Sequence, residues 1–121
     1  MPHCIIEYSA NIKENVNKNA LLLEINKTLD ETKMFSLNDI KSRIIVHDDY
    51  CVGDGDPSRA FVTLNVSIIS GRDSDTKKII SDLCLDLLKK HFSESLKRLK
   101  LSLTVQISEL DKDSYGREKS Y

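Results

Sequence analysis

The sequence predicts an α+β fold, an α/β two-layer sandwich in which two βαβ units form a four-stranded sheet with two helices on one face. Three observations predict it. Short stretches of apolar–polar alternation, the mark of half-buried strands, fall at 3–8, 62–68 and 101–107, and the apolar centre Ile44-Ile45-Val46 marks a further strand over 42–50. Apolar residues at helical spacing fill the gap inside each half. Between the halves lies a dense run of turn residues, Val52-Gly53-Asp54-Gly55-Asp56-Pro57-Ser58. A chain of 121 residues builds one core. We therefore read 1–121 as a single domain with a pseudo-repeat, 2–50 and 59–110, and a polar tail, 111–121.

The elements follow in order. In the first strand Cys4, Ile6 and Tyr8 form the more apolar side. Ile12, Val16, Ala20 and Leu23 recur at helical spacing, with Asn11 as the expected cap of that helix. Ile44, Ile45 and Val46 centre the second strand. After the turn, Val62, Leu64, Val66 and Ile68 make the clearest strand of the chain. Asp73, Ser74 and Asp75 open the second helix, with acids where the positive end of the dipole favours them. Ile80, Leu83, Cys84, Leu87, Leu88 and His91 line one side of it. Leu101, Leu103, Val105 and Ile107 form the fourth strand, and the tail is expected to be extended or hairpin-like. Helices on one face leave the other face bare, and its apolar side chains are expected to bury against further copies of the chain.

Composition removes several functions. The net charge of −1 gives no surface able to neutralise phosphates, so no nucleic-acid partner is expected. A small RNA binder of similar βαβ arithmetic would need exposed aromatics, and the chain holds only 4 Tyr and 3 Phe. No apolar run approaches the length of a membrane span. The opening residues carry no signal-peptide pattern, so the expected location is cytoplasmic. Cys4, Cys51 and Cys84 form no paired motif and read as reduced thiols. The scattered His3, His47 and His91 give no metal site, and Asp54-Gly55-Asp56 lacks the further ligands of a calcium loop.

Three residues are candidates for chemistry. Pro2, once Met1 is removed, would be a secondary amine leading straight into a rigid strand. An α-amino group titrates near neutrality, and burial or neighbouring cations lower that value, so the amine could act as a general base. The plainer reading of Met-Pro is that it merely permits methionine removal. Arg43, at the start of the second strand, suits a carboxylate clamp, or else is a solvated edge charge. Arg72 lies between a strand and a helix start, where free N–H groups attract anions. Its plainer alternative is a surface arginine paired with Asp73 or Asp75.

The opening Met1-Pro2-His3-Cys4-Ile5-Ile6-Glu7-Tyr8-Ser9, the stretch Ile40-Lys41-Ser42-Arg43-Ile44, the span Tyr50 to Phe61, Ser70-Gly71-Arg72 with its helix, and Leu103 to Leu110 together resemble the 5-carboxymethyl-2-hydroxymuconate isomerase family of the tautomerase superfamily. The resemblance covers most of 2–110. It implies a tautomerase-like pair of βαβ units, a homotrimer, and active sites near subunit boundaries. It implies Pro2 as the catalytic base, with Arg43 and Arg72 holding the carboxylates of a multiply charged enol acid. It implies no metal and no organic cofactor. The tail from Ser114 to Tyr121 follows the family pattern only loosely, and the tryptophan common near the second strand is absent. Two other readings stay open at this point: a tautomerase of another enol acid such as phenylpyruvate, and a non-catalytic trimeric binding module of the same fold.

Overall fold

The computed structural model describes every residue from Met1 to Tyr121. The first half contributes β1 (His3–Ser9), α1 (Lys18–Glu31), a 3-10 turn over Leu37–Asp39, and β2 (Lys41–His47). The second contributes β3 (Arg59–Ile69), α2 (Ser74–His91), the short α3 (Ser93–Arg98), and β4 (Lys100–Leu110). The sheet order is β2-β1-β3-β4. Each outer strand runs parallel to its inner neighbour, and the two inner strands are antiparallel, with His3 opposite Ser67.

The period-2 pattern decides which side chains meet the helices. On β3, Ala60, Val62, Leu64, Val66 and Ile68 are buried. Cys4, Ile6 and Tyr8 of β1 point the same way, toward Leu21, Ile25 and Leu29 of α1 and Ile80, Cys84 and Leu88 of α2. Each fully buried Val, Leu or Ile side chain among these contributes about 1.5–3 kcal/mol. Burial pushes the Cys4 thiol up to about 11 and the Cys84 thiol up to about 12, so both stay protonated core residues. No helix is long and apolar enough to cross a membrane.

The first helix departs from the expectation. It starts at Lys18, not near Asn11, and its cap is Asn17, whose side-chain oxygen accepts from the Ala20 N–H at 3.0 Å. Asparagines at 11, 15, 17 and 19 compete for backbone hydrogen bonds and keep the preceding segment out of a helix. Ile12 is buried from that loop, whereas Ala20 and Leu23 face outward. The Asn11 amide instead donates to the Pro57 and Arg59 carbonyls, at 3.2 and 2.7 Å. The second strand also stops early, at His47, because β1, its one partner, ends at Ser9 in the same register. The short α3 was not legible as an element. It follows Phe92, which is fully buried and meets Tyr8 edge to face at 5.5 Å.

The bare face of the sheet is more polar than expected. Ile5, Ile45, Phe61 and Ile69 stand there by register. Among them lie a Glu7–His47 pair at 2.9 Å and an Asn65–Ser108 hydrogen bond at 2.7 Å. The tail adds no helix and no strand to the fold. After a turn at 112–114 it crosses the end of the sheet where β3 and β4 finish and β1 and β2 begin. The two halves close alike: the Lys41 N–H donates to the Pro2 carbonyl at 3.1 Å, and the Lys100 N–H to the Ser58 carbonyl at 2.8 Å.

Candidate active site

Antiparallel pairing of β1 with β3 brings the start of one strand to the end of the other. The β3–α2 turn therefore faces the amino terminus. Between them lies an open cleft of about 350 Å³, lined by Met1, Met34, Phe35, Ser36, Asp39, Ile69, Ser70, Gly71 and Arg72.

Arg72 is positioned from three sides. Gly71 before it takes φ +120°, a conformation that favours glycine. One guanidinium nitrogen donates to the Met34 carbonyl at 3.0 Å. The guanidinium carbon lies 4.8 Å from the centre of the Phe35 ring. Arg72 forms no ion pair with Asp73 or Asp75. Asp73 instead caps α2, accepting from the Thr76 N–H at 2.8 Å. The rest of the guanidinium fork is free to bind an anion.

The amine at the cleft is that of Met1, and with Met1 in place the Pro2 nitrogen is an amide without a basic lone pair. Met1 here occupies the space into which a freed Pro2 amine would look. The Pro2 ring itself is buried. The amine donates to the Asp39 carbonyl at 3.0 Å, and the Lys41 ammonium donates to that same oxygen at 3.0 Å. Partial burial, then the Lys41 charge, hold the amine below its usual value; Arg117 and Lys119 add to this, while Asp39 opposes it. Such surroundings favour a neutral, proton-accepting nitrogen.

The structure brings the amino terminus and Arg72 to one cleft, but not Arg43. Arg43 is exposed on the bare face, opposite Ile5, and lines no part of the cleft. Its charge, after burial, helps hold His3 below the ordinary histidine value. Sequence reasoning passed over Asp39, Lys41, Arg117 and Lys119. The signal for Lys41 was present, since it stands two residues before Arg43 and so on the same side of the strand. Nothing in the sequence marked the tail cations, which come to Asp39 only through the fold.

A mixed sheet of two βαβ units with the amino terminus at one end defines the class of fold, that of the tautomerases. The 5-carboxymethyl-2-hydroxymuconate isomerase family model matches residues 2–120, and the chain belongs to that family. It is 33% identical over 110 residues to the 5-carboxymethyl-2-hydroxymuconate Delta-isomerase of Escherichia coli, covering 91% of this chain and 87% of that protein. The crystal structure of a 5-carboxymethyl-2-hydroxymuconate isomerase from Deinococcus radiodurans superposes with a TM-score of 0.90 at 29% identity, covering 98% of this chain and 90% of that one. A fused 4-OT protein described as a symmetric trimer shares the fold at a TM-score of 0.74 and 14% identity, covering 95% and 90%.

Proposed function

We propose that this chain is a cofactor-independent tautomerase that ketonises a 2-hydroxymuconate-type dienol, 5-carboxymethyl-2-hydroxymuconate before others, with the Pro2 nitrogen as general base. One observation carries the reading: a main-chain amine shares a cleft with Arg72, in surroundings that favour its neutral form. Removal of Met1 would pass the free amine to Pro2, whose buried ring fixes the direction of its lone pair.

In this reading the ring nitrogen takes the proton of the 2-hydroxyl group and returns it to a carbon of the conjugated chain. An O–H bond breaks, a C–H bond forms, and the π electrons shift between them, so nothing is oxidised or reduced. Arg72 grips a carboxylate through its free fork and steadies the charge that develops on the enolate oxygen. Anchoring the chain fixes the two proton positions relative to one nitrogen. Proton transfer of this kind calls for no metal or organic cofactor. Arg43 serves as a further carboxylate clamp across a subunit boundary, in a homotrimer whose copies meet on the bare sheet face. The family membership and the trimeric relative of the same fold support that assembly. A small soluble substrate fits a cytoplasmic setting.

The test is ultraviolet monitoring of dienol decay with protein whose mature mass has been measured. A mass lacking methionine, with turnover of the dienol, is the expected result. The Pro2→Ala variant should lose about a hundredfold or more in kcat, the usual contribution of a general base, while keeping its circular dichroism. An active enzyme that retains Met1, or a near-normal Pro2→Ala variant, removes the proposed base.

A further inference from the structure

We propose that the C-terminal tail is a wall of the substrate site, and that Arg117, held in place by a latch of Lys119 and Tyr121 on the Asn38–Asp39 turn, takes a second carboxylate of the substrate. The inference rests on the enol-acid reading above for the kind of ligand.

The latch is formed by residues far apart in sequence. The Lys119 ammonium lies 2.8 Å from an Asp39 carboxylate oxygen. The Tyr121 hydroxyl donates to the Asn38 carbonyl at 2.8 Å and reaches the same Asp39 oxygen at 3.3 Å. Lys119 also sits 4.7 Å from the centre of the Tyr121 ring. At the other end of the segment, the Tyr115 hydroxyl meets the His3 ring at 3.0 Å. Arg117 stands midway between these two anchors.

Asp39 joins the tail to the chemistry. Its side chain lines the cleft and accepts the latch, while its main-chain carbonyl accepts the amine. An unpaired carboxylate there would repel an anionic substrate, and Lys119 offsets it. Arg117 is exposed and has no hydrogen bond or ion pair of its own, and it stands two residues before the Lys119 that is fastened to Asp39 of the cleft. Sheet order gives the two cationic poles opposite sides. Arg72 follows β3, the tail is fastened beside β2, and β1, which the amine begins, runs between those strands. A ligand with one carboxylate can use one pole. A ligand with carboxylates at both ends can use both.

The test compares two six-carbon dienes that differ by one carboxylate, trans,trans-muconate and sorbate, by titration calorimetry on the full chain. Wild type should prefer muconate. Arg117→Ala should weaken muconate binding about tenfold or more, the scale of one hydrogen bond to a charged group, and sorbate binding less than about twofold. Arg117→Lys should recover part of the loss. The double variant Lys119→Met with Tyr121→Phe should lose the preference for muconate in the same way, with the fold checked by circular dichroism. Equal losses for both ligands, an unchanged muconate affinity, or no preference in wild type would overturn the proposal. If the protein turns over no enol acid and yet binds muconate in this Arg117-dependent way, the catalytic reading fails and the tail subsite stands.

Discussion

Removing the Arg72 guanidinium separates its two roles. In the cleft, one of its nitrogens is committed to the Met34 carbonyl and its plane rests by Phe35, so Arg72→Ala deletes both an internal tie and the free fork. The internal tie amounts to one net hydrogen bond of about 1 kcal/mol and a cation–π contact of about 0.5–1 kcal/mol. Loss of both should lower the unfolding free energy by about 1–2 kcal/mol, a few degrees in melting temperature. The free fork contributes a hydrogen bond to a charged group, about 1.5–3 kcal/mol, or roughly tenfold to a hundredfold in kcat/KM. Arg72→Lys keeps the charge and loses the fork, so its kcat/KM should fall between those of wild type and Arg72→Ala. The assay is steady-state dienol decay for the three proteins at fixed pH and low salt, with thermal melts alongside. A kcat/KM for Arg72→Ala within about threefold of wild type would refute the substrate role and leave Arg72 as a fastener of the 34–35 loop.

Two further outcomes follow from the same coordinates. In the chain that keeps Met1 the amine titrates below its usual value, and Lys41→Met removes a cation that destabilises the protonated form, so the pH profile of amine labelling should shift upward. A downward move, or none, in that profile would contradict the assigned cause. Phe92→Ala should cost about 3–5 kcal/mol in urea unfolding, since the ring is fully buried against Tyr8, and a cost below about 1 kcal/mol would contradict the packing described.

The strands were legible because each half-buried one repeats every second residue, and β3 does so without a break from Ala60 to Ile68. The start of α1 was not. Ile12, Val16, Ala20 and Leu23 satisfy helical spacing as well as Leu21, Ile25 and Leu29 do, and only packing against β1 and α2 selects the latter set. The site divides in the same way. Pro2 and Arg72 could be singled out because each is tied to a local position, a chain start and a strand-to-helix junction. Asp39, Arg117 and Lys119 meet through a separation of about eighty residues, which no local pattern records. Arg43 carries the right chemistry but stands two residues further along β2 than Lys41, opposite Ile5, and does not reach the cleft at the end of the sheet.

The matching closures of the two halves also set how many bases one chain can supply. Ser58 occupies at the head of β3 the place that Pro2 occupies at the head of β1, down to the main-chain bond each accepts from the outer strand. Yet the peptide runs on through Ser58, and its nitrogen is an amide with no basic lone pair. On the proposed mechanism, a near-twofold molecule is thereby restricted to one catalytic end. Opening the chain before Ser58 and joining the old termini would move the amine to the opposite end of the sheet, beside Ser9 and Asn11, where no arginine equivalent to Arg72 waits for a substrate.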